Sequence, residues 1–331
     1  MSAPAPAAAP SPAARRPLLG YLRDYLIYFV FIAICVVLAF ATPNFFKPDN
    51  LINIVRQSSF RTIVAVGMTF VILTAGIDLS VGGVIALAGV AGSLVLVRPG
   101  LPLGLAIALG IGAGVAVGAA LGAINGFAIT RFNLPPFIAT LAVWFIAGRD
   151  GGLAFLINGG QPVFNLPQPF LFLGAGDVVG IPVPIIIMVV IVAAGHFALT
   201  RTTFGRYVYA VGGNEEAAWL SGINVRRVKM TVYVICGLLS GLTGMILAAR
   251  LASGDPKTGV GQELDVIAAV VVGGTSLFGG RGTILGTLVG ALIIGVLNNG
   301  LNLLNISSYW QPVVKGGVIL LAVLIDQVTK K

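Results

Sequence analysis

Residues able to do chemistry are few in this chain, and their spacing argues against an enzyme. There is one histidine, His196, and two cysteines, Cys35 and Cys236, both inside apolar runs. A lone histidine supplies neither a metal pair nor a Ser–His relay. Cysteines packed in apolar sequence imply no disulfide or metal framework. The acids that could serve an ion-coupled path are Asp78, Asp150 and Asp265. The densest charge lies elsewhere. Residues 212–230, GGNEEAAWLSGINVRRVKM, gather Glu215, Glu216, Arg226, Arg227 and Lys229 between two long apolar runs. No lipid-facing role explains such a loop, so it is expected to meet an aqueous partner and to couple that partner to motion in the membrane.

The elements that must position this loop are membrane helices. Of 331 residues, 57% are hydrophobic and 9% charged, against about 25% charged in a soluble domain. The net charge of +9 could suggest nucleic acid, but the basic residues sit between apolar runs, where topology explains them. Forty-five glycines suit helices that approach closely in a bilayer. The first twenty residues, MSAPAPAAAPSPAARRPLLG, read as a disordered cytoplasmic tail. Arg15–Arg16 invite a twin-arginine export reading, yet Arg23 and Asp24 interrupt the stretch and no clear cleavage site follows, so a retained first helix is expected.

Runs long enough to span, roughly 17–25 residues, occur at 24–42, 55–75, 78–97, 102–130, 136–157, 182–199, 230–250, 264–280, 283–304 and 311–328. The expectation is an all-α integral membrane protein of about ten transmembrane helices, a single transmembrane domain over 21–330. With the N-terminus inside, twelve of the twenty basic residues fall in inner segments and four in outer ones. Both termini and the 200–229 loop are then cytoplasmic.

The chain also echoes itself. Gly118-Ala-Ala-Leu-Gly122-Ala-Ile-Asn125-Gly126 recurs loosely as Gly290-Ala-Leu-Ile-Ile-Gly295-Val-Leu-Asn298-Asn299-Gly300, and Gly76-Ile-Asp78-Leu as Gly261-Gln-Glu-Leu-Asp265. Helices 2–5 then resemble helices 7–10. An offset of five spans inverts one unit against the other, a pattern of transporters whose path lies at the repeat interface, with broken helices near it. Chance likeness in Gly/Ala-rich sequence is the competing explanation.

Each polar motif carries two readings. Asp78, flanked by Gly76 and by Ser80-Val-Gly82-Gly83, caps the helix beginning at Leu79 or borders a wet path through a broken helix. Gly273-Gly-Thr275-Ser276-Leu-Phe-Gly279-Gly280-Arg281-Gly282 is a turn between spans, because no Gly-Lys-Ser/Thr exists anywhere to complete a phosphate loop. Asn125, Asn298, Asn299 and Asn302 either hold helices together or line a path. The candidate translocation path is Asp78, Ser80, Asn125, Thr275, Ser276, Asn298, Asn299 and Asn302. Arg149 and Asp150 read as a structural ion pair at the outer part of a helix or on a cavity wall, and His196 as an interfacial residue. In the loop, Asn214 is placed to cap a short helix with Glu215 and Glu216 at its positive end and Gly222 after it. That helix lies on headgroups or docks into a cytoplasmic protein.

Several of these motifs together resemble the membrane permease of bacterial ABC importers for monosaccharides, the ribose, xylose and galactose permease family. They are Gly67-Met-Thr69, Gly76-Ile-Asp-Leu-Ser-Val-Gly82, Thr203-Phe-Gly-Arg206, Gly213-Asn-Glu-Glu-Ala-Ala218, Ser221-Gly-Ile-Asn224, Gly273-Gly-Thr-Ser276 and Leu297-Asn-Asn-Gly-Leu-Asn302. They cover most of the chain from about residue 50; the Arg149-Asp-Gly-Gly stretch looks atypical. The resemblance implies a non-catalytic subunit of the bacterial inner membrane that works with a second permease subunit, identical or closely related. It implies a cytoplasmic ABC ATPase that binds the ATP and Mg, and a periplasmic sugar-binding protein. Asn214, Glu215, Glu216, Ala217, Ala218, Leu220 and Gly222 would form the coupling helix. A stand-alone secondary transporter or facilitator is the alternative, and no cofactor or nucleic acid is expected in this chain.

Overall fold

The computed structural model describes residues 18–148, 151–307, 309–314, 316–317 and 320. The tail up to residue 17, the Arg149–Asp150 pair and most of the expected span 311–328 lie outside the described residues. The chain forms α1 (Leu18–Ala41), α2 (Pro48–Leu73), α3 (Val81–Leu96), α4 (Leu103–Phe132), α5 (Pro136–Ala147), α6 (Gly152–Leu156) and α7 (Gln168–Ala175). After the two-residue antiparallel pair β1 (Asp177–Val178) and β2 (Ile181–Pro182) come α8 (Val183–Arg201), α9 (Thr203–Gly213), α10 (Glu215–Leu220), α11 (Val225–Leu251), α12 (Gln262–Val272) and α13 (Ile284–Leu303).

Local sequence explains the helix starts. Proline stands in the first turn of α2, α5, α7 and α8, where its missing N–H costs nothing. Side-chain caps begin α9, α10, α11 and α13, with Thr202, Asn214, Asn224 and Thr283 accepting from the N–H groups of Gly205, Ala217, Arg227 and Gly286. Among the described residues five helical segments are long and apolar enough to cross a membrane: Leu103–Phe132, Pro136–Leu156, Val183–Arg201, Val225–Leu251 and Ile284–Leu303. The 30 residues of α4 extend about 45 Å at 1.5 Å per residue, more than a hydrocarbon core of about 30 Å and long enough to span it with tilt.

Packing centres on α11, which is largely buried and touches α2, α3 and α4. Its seam with α4 is built from small residues. A methyl on Gly118 would enter the Gly237 carbonyl, one on Gly122 the Tyr233 carbonyl, and one on Gly241 would come within 2.6 Å of the Gly114 carbonyl. Contacts this close need glycine and replace the hydrophobic drive that lipid removes. On the other side α13 packs on α2 and α12.

Three expected spans are not continuous helices, and one of them, the run 136–157, is divided into α5 and α6. The run 78–97 becomes helical only at Val81, because Thr74 and Ala75 turn, Ala75 with a left-handed φ of 57°, and Gly76 to Leu79 are irregular. The run 264–280 is an 11-residue helix, α12, followed by the 273–283 turn. Ahead of α12 the chain is a series of turns with one bridge: Gly254 pairs with Val163 and lies on Ser93, and Gly259 lies on the Gly82 carbonyl. The non-helical 252–261 segment thus runs beside α3, with Gly254, Pro256 and Gly259 buried and Lys257, Val260 and Gly261 exposed.

Candidate functional site

Three polar assemblies stand out, and the first is the loop. The capped α10 carries Glu215 and Glu216 in its first turn, where they face the positive end of the helix dipole. Glu215 pairs with Lys229 of α11. Arg226, Arg227 and Lys229 belong to the first turns of α11 and not to a free loop. Trp219 and Leu220 are 66% and 72% exposed, whereas Ala218 is buried. Ala218 therefore anchors α10 to the body of the protein, and the exposed apolar contact falls to Trp219 and Leu220. A groove of about 850 Å³ runs beside it, lined among others by Glu216, Trp219, Ile223, Arg226 and Ile129.

Behind α10, α9 ties this region to the bundle. Tyr209 donates to the carbonyl of Gly282 at 2.7 Å, and burial raises the phenol, keeping it a neutral donor. Gly280 donates its N–H to the Leu73 carbonyl at 3.0 Å. A methyl on Gly212 would strike that same carbonyl. The end of α2, the 273–283 turn and the end of α9 therefore meet backbone to backbone.

The second assembly is buried at the α2–α3 break. Asp78 Oδ1 accepts from the N–H of Ser80 at 2.9 Å and from its hydroxyl at 2.6 Å, and Asn125 donates to Ser80 Oγ at 2.8 Å. Tyr233 donates to the Ile77 carbonyl at 3.2 Å. The capping expectation is corrected in detail: the helix begins at Val81, after Ser80 at the N-cap, and Asp78 braces Ser80 from outside. The sequence links Asp78, Ser80 and Asn125 to one path, and the fold does bring these three together. Each is 1% exposed or less, so the cluster is sealed.

The third assembly follows α13. Asn299 and Asn50 exchange amide hydrogen bonds at 2.8 and 3.1 Å. Asn298 is buried on the same side of the helix, while Asn302 is exposed and accepts from Gln311 at 2.8 Å. Thr275 and Ser276 are also buried, in the turn before α13, away from the Asn50–Asn299 level. Sequence reading missed Arg61, whose Nε is 3.1 Å from Asp265 Oδ2. A basic residue inside an apolar run was the available signal. His196 lines an apolar hollow with Met188, Val192 and Leu288, and among the described residues no group of acids, cysteines and histidine could hold a metal.

Residues 50–323 match the family described as branched-chain amino acid transport system / permease component. A ribose import permease of Haemophilus influenzae is 48% identical over 311 residues, covering 92% of this chain and 94% of the relative. A ribose import permease of Bacillus subtilis is 50% identical over 308 residues, 92% of each chain. An L-arabinose ABC transporter permease of Azospirillum brasilense is 40% identical over 328 residues, 98% of this chain and 94% of the relative. No solved structure matches. With most of its length aligned and its helices apolar enough to cross a bilayer several times, the chain belongs to this family of multi-pass transport permeases.

Proposed function

We infer that this chain is the membrane permease subunit of an ATP-driven importer of a monosaccharide, a non-catalytic partner of a separate ATPase. The observation that carries the reading is 48–50% identity to ribose import permeases over more than nine-tenths of the chain. In it α10 is the coupling helix. Trp219 and Leu220 offer an exposed apolar contact beside Glu215 and Glu216, and the adjoining groove suits a helix or loop of a cytoplasmic ATPase. ATP binding biases inward- and outward-facing states through differential contact with that helix. A binding protein on the opposite side delivers the sugar, and a second permease subunit, identical or related, completes the channel. Both termini are cytoplasmic in this reading.

The packing favours an inverted repeat. Exchanging α2 with α11, α3 with α12 and α4 with α13 turns the α4–α11 seam into α13–α2, and α3–α4 into α12–α13. Each unit then holds one broken element, at 74–80 and at 252–261, as alternating access in inverted-repeat transporters requires. Asp78, Ser80 and Asn125 shape the first break at the border of the path.

Reconstitution tests the reading. Proteoliposomes holding this chain, the ATPase and the binding protein should accumulate ribose only with ATP. Ribose flux through the permease alone would instead establish the facilitator.

A further inference from the structure

The α2–α12–α13 seam holds polar groups that the fold leaves without partners. Thr69 and Thr287 share a hydrogen bond at 2.7 Å, a methyl on Gly295 would strike Ser58 Oγ, and Asn299 binds Asn50. These contacts fix α13 antiparallel to α2. Gly290 against Ala269 and Gly286 against Gly273 set α12 antiparallel to α13 and so parallel to α2; with Arg61 beside Asp265, Gln262 comes one turn away near the level of Ser58. Asn298 lies three residues past Gly295 and one before Asn299, on the α13 face that meets α2. Ser58, Arg61, Gln262, Asp265 and Asn298 therefore converge where half-helix α12 begins.

At this convergence Ser58 Oγ, Arg61 Nη1, Gln262 Oε1 and both amide atoms of Asn298 are buried with no hydrogen-bond partner. Asn298 is 6% exposed and Ser58 fully buried. Each such atom costs about 1–3 kcal/mol when left unmade, and native proteins leave few of them. Five in one seam, where lipid supplies no water, indicate a ligand-shaped need. Below the seam the polar run stops, at the satisfied Thr69–Thr287 pair and buried Ile63, Val64 and Val66. Above it, the Asn50–Asn299 amide pair closes the way to an open hollow lined by Asn44, Lys47, Asn53 and Arg56.

The chemistry of the set selects the ligand. It offers N–H donors, amide and hydroxyl acceptors and one hydroxyl that does both, the pattern a row of sugar hydroxyls complements. Arg61 is neutralised by Asp265, so the seam does not call for an anion. The two charges present, Arg61 and Asp265, are paired with each other, which leaves neither for the ammonium and carboxylate of an amino acid.

We propose that the α2–α12–α13 seam is a binding station for a neutral polyhydroxylated ligand, a monosaccharide, whose hydroxyls are taken up by Ser58, Arg61, Gln262, Asp265 and Asn298 behind a door formed by Asn50 and Asn299. The station rests on the sugar-importer reading and gives it a place in the fold.

The test is ATP-driven uptake of D-ribose by the full complex in proteoliposomes, with each variant's membrane amount and unfolding temperature measured. Asn298→Leu removes two unpaired polar atoms, so a purely structural residue would gain stability and keep transport. The station instead requires uptake to fall at least tenfold with unfolding temperature equal or higher, and Gln262→Leu to fall likewise. Thr243→Val, which removes a buried unpartnered hydroxyl outside the seam, should leave uptake unchanged. Uptake within twofold of wild type for both seam variants overturns the station. Should Asn298→Leu fail to accumulate, half-buried Gln262→Leu decides by the same criterion. A wild-type complex that imports leucine and no ribose overturns the sugar reading, and the wild-type control alone reveals that outcome.

Discussion

Gly280 hands its backbone N–H to the carbonyl of Leu73 at 3.0 Å, joining the 273–283 turn to the end of α2. Gly212, two residues before the cap of α10, is pressed on that same carbonyl. Coupling between distant sites travels through such packed two-sided contacts. Gly212→Ala should therefore destabilise the protein by about 1–3 kcal/mol, as overpacking does, and lower its unfolding temperature in detergent. An unchanged unfolding temperature would show that the joint is slack.

The exposed face of α10 is predicted to carry recognition and little stability. The Glu215–Lys229 pair is more than half exposed on its acidic side, and pairs of that kind contribute about 0–1 kcal/mol. Glu216→Lys should leave stability within about 0.5 kcal/mol, as surface changes do. It should also cut co-purification of the ATPase at least tenfold. Normal co-purification counts against the coupling role.

At the α2–α3 break one oxygen of Asp78, Oδ1, accepts both hydrogen bonds from Ser80. Asp78→Ala strands the Ser80 N–H and hydroxyl, each costing about 1–3 kcal/mol when buried and unpaired, and should destabilise measurably in chemical unfolding. Asp78→Asn keeps one acceptor and is expected to fold but to transport more slowly. Uptake at the wild-type rate would reduce the carboxylate to a replaceable brace.

The α4–α11 seam tests whether glycine is required by contact or merely tolerated. Gly118→Leu places a side chain against the Gly237 backbone, while Gly112 has open space around it and faces outward. Gly118→Leu should lose at least the roughly 1–3 kcal/mol of an overpacked core and Gly112→Leu almost nothing, read as membrane yield and unfolding temperature. Equal behaviour of the two would contradict the close approach of these helices.

Much of this was legible from residue order. Apolar length gave the spans to within a few residues at α4, α8 and α13, because lipid imposes one requirement on every crossing. Asn214 and the acids after it announced α10, since capping is local chemistry. The half-length of α12 was not legible, because its apolar run continues into glycines, of which Gly274, with a left-handed φ of 84°, turns the chain just after the helix ends. Nor was the fate of the asparagines. Asn298, Asn299 and Asn302 look alike in sequence, yet one is buried without a partner, one is paired and one is exposed.

Composition, spacing and cap residues determined by themselves that this chain lives in a bilayer, supplies no catalytic group and presents a polar helix between two spans. Those properties follow from what each segment can do alone. Tertiary structure decided that Asn50 finds Asn299, that Arg61 finds Asp265, and that the buried amide of Asn298 is left without a partner. Such meetings depend on helix register and depth, which hundreds of small contacts between distant segments set together.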